Sequence, residues 1–177
     1  PTNLARLIPQ ISGMAYAQEG DGIYCTMYVG SETTISLPGG GGSGGGAVKL
    51  VQETAYPNDG KVRITVSPER EQRFALKLRI PTWTGEQFVP GGLYRYAATT
   101  AGGEEAGEPW TLRVNGERTE ASVARGFATI ERAWKPGDVV ELELAMPVRF
   151  NRCDERVEVN RGRLAVTRGP LVFCAEE

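Results

Sequence analysis

Histidine is absent from this chain of 177 residues. Its absence removes the Ser-His and Cys-His nucleophile pairs and the commonest protein ligand of zinc. Catalysis by this chain alone would have to rest on carboxylates, tyrosine or lysine. The sequence therefore excludes the histidine-dependent hydrolases and metalloenzymes as descriptions of the chain itself.

Cysteine is scarce as well. Cys25, Cys153 and Cys174 lie far apart in the sequence, with no CxxC motif and no Cys/His metal-binding spacing. Cysteine usually packs as a small buried hydrophobic residue, which favours free thiols within strands. One disulfide with a single thiol left over is the alternative. No metal site is predicted in this chain.

The chain also lacks a long apolar run and an excess of charge. No run approaches the roughly 20 apolar residues that a membrane span needs. The 20 Lys and Arg residues nearly balance the 22 Asp and Glu residues, for a net charge of −2. This balance gives no electrostatic basis for binding nucleic acid or an anionic membrane. The start carries no secretory signal and resembles a cut within a longer chain, so no compartment is predicted.

Strands with one buried side are the clearest positive signal. Residues 126–146 have the pattern of two strands joined by a turn at 135–138, where Pro presets φ and Gly allows a positive φ. In the second strand, alternate residues belong to opposite faces. The apolar face holds Val140, Leu142, Leu144 and Met146, and the other face holds Val139, Glu141, Glu143 and Ala145.

Similar short strands recur along most of the chain. They are predicted at 23–29, 32–37, 48–54, 62–66, 74–80, 110–114, 122–123, 127–134, 139–146, 156–159, 164–167 and 171–174. Short strands separated by frequent turns are typical of a sandwich. The sequence predicts an all-β, antiparallel, jelly-roll-like β-sandwich over residues 21–177.

The first 20 residues differ from the rest. Apolar residues recur at helical spacing from Leu4 to Ala15, which predicts a helix over about 4–17, kinked or shortened by Pro9. An amphipathic helix at this position indicates that residues 1–20 are a helical remnant of a larger body.

Two loops are predicted within the sandwich. Residues 39–46, GGGGSGGG, form a flexible loop that is either natural or a linker in place of a longer insertion. Residues 84–108 are rich in Gly and Ala and poor in large apolar residues, which predicts a long loop. Loops of this length are usually functional or mobile.

Aromatic residues beside the long loop are candidate sugar contacts. Trp83 follows a predicted strand in Arg79-Ile-Pro-Thr-Trp83, and the loop itself holds Tyr94 and Tyr96. Such rings could stack on a sugar, although large aromatic side chains more often supply buried area. Trp134 shares a strand face with Ala128 and Ile130, so it is assigned to the core.

Most glycoside hydrolases use a pair of carboxylates. The available acids are Glu53, Glu131, Asp138, Glu141, Glu143, Asp154 and Glu155. Glu141 and Glu143 share the solvent face of one strand, which is the ordinary location of glutamate. No catalytic residue is therefore predicted in the chain.

Several segments, taken in order, form a wider pattern. They are Pro1-Thr-Asn-Leu-Ala-Arg6, Gly22-Ile-Tyr24, Gln52-Glu-Thr-Ala-Tyr-Pro57, Leu76-Lys-Leu-Arg-Ile-Pro-Thr-Trp83, Val114-Asn-Gly116, Gly126-Phe127 with Arg132-Ala-Trp-Lys-Pro-Gly-Asp138, and Arg168-Gly-Pro-Leu-Val-Phe-Cys174. Their order and spacing cover nearly the whole chain. Together they resemble the C-terminal β-region of the β-L-arabinofuranosidase family of bacterial glycoside hydrolases.

The resemblance implies a larger parent enzyme. Members of this family carry a catalytic α/α-barrel before the β-sandwiches, which makes residues 1–20 the end of that barrel. The family uses a zinc-bound cysteine as nucleophile, with a glutamate and further cysteines as ligands. These residues would precede Pro1, and none of Cys25, Cys153 or Cys174 matches them. Zinc is thus expected in the parent's catalytic domain and not in this chain, and the family continues beyond Glu177 into more β-structure.

The resemblance leads to three functional expectations. The first is a non-catalytic accessory domain that supports its own catalytic α/α-barrel or the rim of the cleft, in a parent that performs retaining hydrolysis of terminal arabinofuranosyl groups. The second is a carbohydrate-binding module, with an exposed planar set among Trp83, Tyr94, Tyr96 and Trp110. The third, and least favoured, is an autonomous glycosidase that uses paired carboxylates.

Overall fold

The structure, a computed structural model, describes residues 2–38, 45–86, 88–100 and 107–174. The predicted glycine-rich loop falls mostly at 39–44, outside the described residues. The helices are α1 (Thr2–Ile11) and the single 3₁₀ turns Ser12–Met14, Thr82–Thr84 and Glu158–Asn160. The strands are β1 (Tyr16–Glu19), β2 (Gly22–Cys25), β3 (Ser31–Ser36), β4 (Ala47–Thr54), β5 (Lys61–Pro68), β6 (Gln72–Arg79), β7 (Tyr94–Thr100), β8 (Trp110–Val114), β9 (Glu117–Arg118), β10 (Val123–Ala124), β11 (Phe127–Trp134), β12 (Asp138–Leu144), β13 (Val148–Cys153), β14 (Leu164–Arg168) and β15 (Leu171–Phe173).

Two sheets form a sandwich, which confirms the predicted all-β fold. One sheet has the order β1-β2-β6-β11-β10, and the other has the order β3-β4-β5-β12-β8-β9. Among the described strands, all pairings are antiparallel except β2 with β6, which is parallel. The predicted alternation is observed, since Val140, Leu142 and Leu144 of β12 are buried.

The core lies between the two inner faces. Trp134 is fully buried, as predicted, and its indole N–H donates to the carbonyl of Phe74 at 3.1 Å. The two rings stack with centroids 5.7 Å apart. Both sheets supply the same hydrophobic cluster, so burial of apolar area holds them face to face.

A third sheet contradicts the prediction of a continuous loop at 84–108. It has the order β15-β14-β13-β7, and β7 lies within that range. Residues 101–106 are outside the described part of the chain. The strand β7 pairs with β13, about 50 residues further along the chain, so its own neighbours in sequence did not predict it.

Two further boundaries were also wrong. The helix α1 ends at Ile11, and β1 already pairs with β2 across Gly20, so residues 16–19 belong to the sheet rather than to the helical remnant. Pairing with a neighbouring strand overrode the helical spacing here. The predicted strand at 156–159 overlaps a 3₁₀ turn, and the strand of this region is β13.

Candidate functional site

Trp83 is held at one end of the sandwich by a short turn after β6. Pro81 is extended, and the 3₁₀ turn that follows places Trp83 half-buried against the core. The hydroxyl of Thr84 donates to the carbonyl of Pro81 at 2.7 Å and closes the turn. The turn thereby fixes the direction of the indole ring.

The Trp83 cleft is a cavity of about 350 Å³ at this end of the sandwich. Its walls are mostly aromatic or apolar, with Arg79 as the charged member. Its lining is Thr26, Met27, Tyr28, Tyr56, Arg79, Pro81, Thr82, Trp83 and Pro170. A small, largely apolar concavity with few polar groups has the character of a binding site for a small molecule.

Tyr28 forms a rigid wall of this cleft. Its hydroxyl donates to the carbonyl of Arg79 at 2.6 Å, and its ring meets Tyr56 edge to face at 5.8 Å. Burial raises the pKa of Tyr28, with smaller contributions from Cys25 and Tyr56. Tyr28 therefore remains a neutral hydrogen-bond donor at physiological pH.

Tyr96 lies beside the cleft but does not line it. Its hydroxyl donates to the carbonyl of Trp83 at 2.9 Å, and its ring lies 4.7 Å from Phe88. The guanidinium of Arg149 stacks over the ring at 4.3 Å and donates to the carbonyl of Gly85 at 3.1 Å. Burial raises the pKa of Tyr96, and the charge of Arg149 opposes the rise. Tyr96 ties the Trp83 turn to the third sheet.

Tyr94 is separate from Trp83. Its hydroxyl accepts a hydrogen bond from the side-chain amide of Asn160 at 3.1 Å. Trp83, Tyr94, Tyr96 and Trp110 are each half-buried. Of these four, Trp83 alone lines the Trp83 cleft.

Sequence reasoning missed Tyr28 and Tyr56 as cleft residues. Tyr28 is the third residue after β2, and Tyr56 opens the turn that precedes β5 with a cis bond to Pro57. The Tyr-Pro pair in a strong turn signal was the available clue. Nothing local to either residue indicates that both turns meet beside Trp83.

Three of the seven candidate carboxylates, Glu53, Glu141 and Glu143, line a second cleft of about 540 Å³ on the outer face of the six-stranded sheet. Arg63 donates to Glu141 at 2.8 Å and lies 3.7 Å from Glu53. Two of these acids are therefore paired with a cation on a solvent-exposed strand face.

The residues that the structure describes do not fit a zinc site. Within the described part, no group of three or more His, Cys, Asp or Glu residues could hold a metal ion. All three cysteines are free; Cys25 is buried, Cys153 is half-buried and Cys174 is exposed. Burial raises the pKa of Cys25 to about 12, so its thiol stays protonated. The helices of the described part fall short of a transmembrane segment in length and apolar character.

Fold and site together define an all-β sandwich region with an aromatic cleft. The family models for "Beta-L-arabinofuranosidase, GH127 middle domain" and "Glycoside hydrolase family 127 C-terminal domain" match residues 22–146 and 148–177. The chain belongs to glycoside hydrolase family 127, which confirms the resemblance seen in the sequence. The boundary between the two models falls where the sandwich gives way to β13.

Similar proteins agree with this family. The chain is 30% identical to the non-reducing end β-L-arabinofuranosidase of Bifidobacterium longum subsp. longum, over 100% of this chain and 23% of that protein. A solved GH127 β-arabinofuranosidase superposes with a TM-score of 0.85 at 36% identity, over 99% of this chain and 26% of the other. The GH127 β-L-arabinofuranosidase of Geobacillus stearothermophilus T6 superposes with a TM-score of 0.76 at 36% identity, over 97% of this chain and 23% of the other. The chain thus spans about a quarter of the length of these relatives.

Proposed function

We propose that this chain is a non-catalytic accessory region of a family 127 glycoside hydrolase, which supports the catalytic α/α-barrel or the rim of its cleft. The parent enzyme would hydrolyse terminal arabinofuranosyl groups, and this chain would supply none of the reacting groups. The observation that carries the proposal is the helix α1. Every side chain from residue 3 to residue 14 is exposed.

The exposed face of α1 is apolar. Leu4, Leu7, Ile8 and Ile11 recur at helical spacing and are 62%, 45%, 64% and 37% exposed. A helix of ten residues is marginal in water by itself and depends on packing of such a stripe. The catalytic barrel is the partner that fits, because its helices would offer apolar grooves of matching geometry.

The position of α1 relates this contact to the Trp83 cleft. The hydroxyl of Thr26, a cleft residue, donates to the carbonyl of Met14 just after α1. Met14 and Met27 are also exposed, at 49% and 39%. A barrel seated on α1 would therefore lie next to the cleft, in keeping with a role at its rim.

The test is reassembly from two pieces. This chain is mixed with the separately produced preceding region of its parent, and the complex is measured by sedimentation velocity. The double variant Leu7→Ser/Ile8→Ser should weaken association by about a hundredfold, since each large apolar side chain contributes roughly 1.5–3 kcal/mol on burial. Val123→Ser, at a 47% exposed apolar residue of β10, is the matched control and should leave it unchanged. Failure to associate, or equal weakening by both changes, would refute the proposal.

A carbohydrate-binding role is the second candidate. It is supported by the half-exposed Trp83 ring in a cleft that Tyr28 and Tyr56 also line. Calorimetric titration with arabinose- and galactose-containing oligosaccharides tests it. Saturable binding that Trp83→Ala abolishes would support this role, whereas absence of heat from the folded chain would refute it.

A further inference from the structure

Arginine dominates a separate cleft on the third sheet. This arginine cleft has a volume of about 300 Å³ and shares no lining residue with the Trp83 cleft. Its charged lining residues are Arg95, Arg152, Arg161, Arg163, Asp154 and Glu155. Four cations against two anions make the cleft positive, although the chain as a whole is negative.

Backbone pairing places two of the arginines opposite each other. Arg152 of β13 is the register partner of Arg95 of β7. Like charges directly opposite on neighbouring strands are destabilising. No described residue forms a hydrogen bond or ion pair with the guanidinium group of Arg95, Arg152 or Arg163. All three side chains are exposed and can reach a ligand.

The acids of the cleft do not neutralise this charge. Asp154 accepts bonds from the side chain and the amide of Arg156, at 2.7 and 3.1 Å, which lower its pKa, and the charge of Arg95 adds to the effect. Arg161 donates to the carbonyl of Glu155 at 2.8 Å and lies 3.9 Å from the carboxylate of Glu158. Among the described residues, the carboxylate of Glu155 is thus the one lining acid without a hydrogen bond or ion pair, whereas three guanidinium groups, those of Arg95, Arg152 and Arg163, lack one.

We infer that the arginine cleft binds the carboxylate of an acidic sugar residue, a uronate. Guanidinium donors form a planar fork that matches a carboxylate, and charge-assisted bonds of this kind are the strong ones. A bound carboxylate would lie between Arg95 and Arg152 and relieve their repulsion. Leu164, 62% exposed at the cleft wall, offers apolar surface to the C–H face of the sugar ring.

The two parts of this inference have different bases. The arginines alone imply an oxyanion ligand, whereas the choice of a sugar rests on the proposed role in a glycoside hydrolase. Docking of α1 is not required for the cleft to bind. The experiment is therefore performed on this chain alone.

The chain is titrated with D-galacturonate, D-galactose and inorganic phosphate, and NMR follows the arginine side-chain N–H signals. Saturable millimolar binding of galacturonate should shift Arg95, Arg152 and Arg163, and galactose should cause no such shift. The double variant Arg95→Gln/Arg152→Gln should lower the affinity for galacturonate at least about tenfold, and added NaCl should lower it further. Arg73→Gln is the matched control, an exposed arginine of the five-stranded sheet paired with Glu131, and should leave the affinity unchanged.

Several results would overturn the inference. They are no binding of galacturonate, equal binding of galactose, or binding that the double variant leaves intact. Tighter binding of phosphate would assign the cleft to a phosphate and refute the uronate. If the double variant failed to fold, Arg163→Gln would be tested in its place, because Arg163 lies outside the strands. It too should lower the affinity for galacturonate at least about tenfold. Leu7→Ser/Ile8→Ser should leave galacturonate affinity unchanged, so failure of docking and failure of this inference remain distinguishable.

Discussion

At the scale of single residues, a buried acid joins two turns of the six-stranded sheet. Asp138 is 8% exposed; it accepts from the side-chain amide of Asn115 and from the backbone amide of Lys135, both at 2.9 Å. The side-chain oxygen of Asn115 in turn accepts from the amide of Val139 at 2.8 Å. Asn115 has φ of 53° and Gly116 has φ of 82°, as the predicted Asn-Gly hairpin requires.

The Asp138 network should make stability depend on pH. Burial pushes the pKa of Asp138 up, but the bonds from Lys135 and Asn115, with the charges of Arg132 and Lys135, outweigh it, so the pKa is lowered. A carboxyl whose pKa is lower in the folded state stabilises the fold above its unfolded value of about 3.9, and the stabilisation disappears as pH falls through the folded value. Asp138→Asn should cost about 1–2 kcal/mol at neutral pH, and its deficit should shrink below about pH 4.

Urea unfolding at several pH values between neutral and acid measures this effect. Glu117→Gln, at an exposed acid of the same hairpin, is the control and should show no comparable deficit. A deficit for Asp138→Asn that stays constant across the range would show that the carboxylate charge is not what stabilises the turn.

At the scale of elements, the turn before β5 packs tightly on the end of β12. A Cβ atom at Gly60 would lie 1.9 Å from the carbonyl oxygen of Leu144, whose own amide donates to the carbonyl of Gly60 at 2.9 Å. Backbone atoms cannot move aside as a flexible side chain can, so glycine is required here by close approach.

Gly60→Ala should therefore be strongly destabilising. We expect a loss of about 3 kcal/mol or more in the free energy of unfolding, at the upper end of the usual cost of overpacking. Gly13→Ala, with no neighbour within 4 Å, is the control and should be nearly neutral. Thermal or urea unfolding measures both, and similar stability of the two variants would contradict the packing of this turn.

The outer face of the six-stranded sheet carries a row of alternating charge. Glu53, Arg63, Glu141 and Arg113 are register partners across β4, β5, β12 and β8. The side chains of Arg63 and Glu141 are 48% and 41% exposed. Solvent therefore limits each pair to a small contribution.

Glu141→Lys should test this row. It places a cation between Arg63 and Arg113 and should lower the free energy of unfolding by about 1 kcal/mol at low salt. Glu141→Gln should cost less, because it removes an attraction without adding a repulsion. The difference should fade in about 1 M NaCl, where charges are screened within roughly 3 Å. Equal losses that do not respond to salt would rule out the electrostatic explanation.

At the scale of the whole molecule, β7 links two regions. In sequence β7 lies between β6 and β8, which belong to the two sheets of the sandwich. It nevertheless pairs with β13 of the third sheet. Two contacts stabilise this connection between the third sheet and the sandwich. The guanidinium of Arg149 stacks on the ring of Tyr96, and the hydroxyl of Tyr96 donates to the carbonyl of Trp83. The guanidinium of Arg168 also reaches the carbonyl of Asn58 at 2.8 Å. The third sheet should therefore unfold together with the sandwich.

Arg149→Ala should uncouple the two regions. Loss of the stacking contact, about 0.5–2 kcal/mol, and of the bond to Gly85 should speed amide exchange in β7 and β13 by at least about tenfold. Exchange in β5 and β12 should hardly change. Arg156→Ala, at an exposed arginine paired with Asp154, is the control. Faster amide exchange throughout the chain, or unchanged exchange in β7, would contradict the proposed link between the third sheet and the sandwich.

The sequence alone determined the all-β class, the buried faces of β5, β6 and β12, the core position of Trp134 and the Asn115 hairpin. These features depend on alternation and turn chemistry over a few residues, which the sequence displays directly. The sequence also identified the family, because its short motifs occur in the family's order and spacing along nearly the whole chain. The tertiary structure decided the features that depend on distant pairing: the strand β7, the meeting of Tyr28 and Tyr56 with Trp83, and the facing of Arg95 and Arg152. No local pattern contains that information, because sheet pairing sets which residues become neighbours and the cost of closing long loops hardly depends on their sequence.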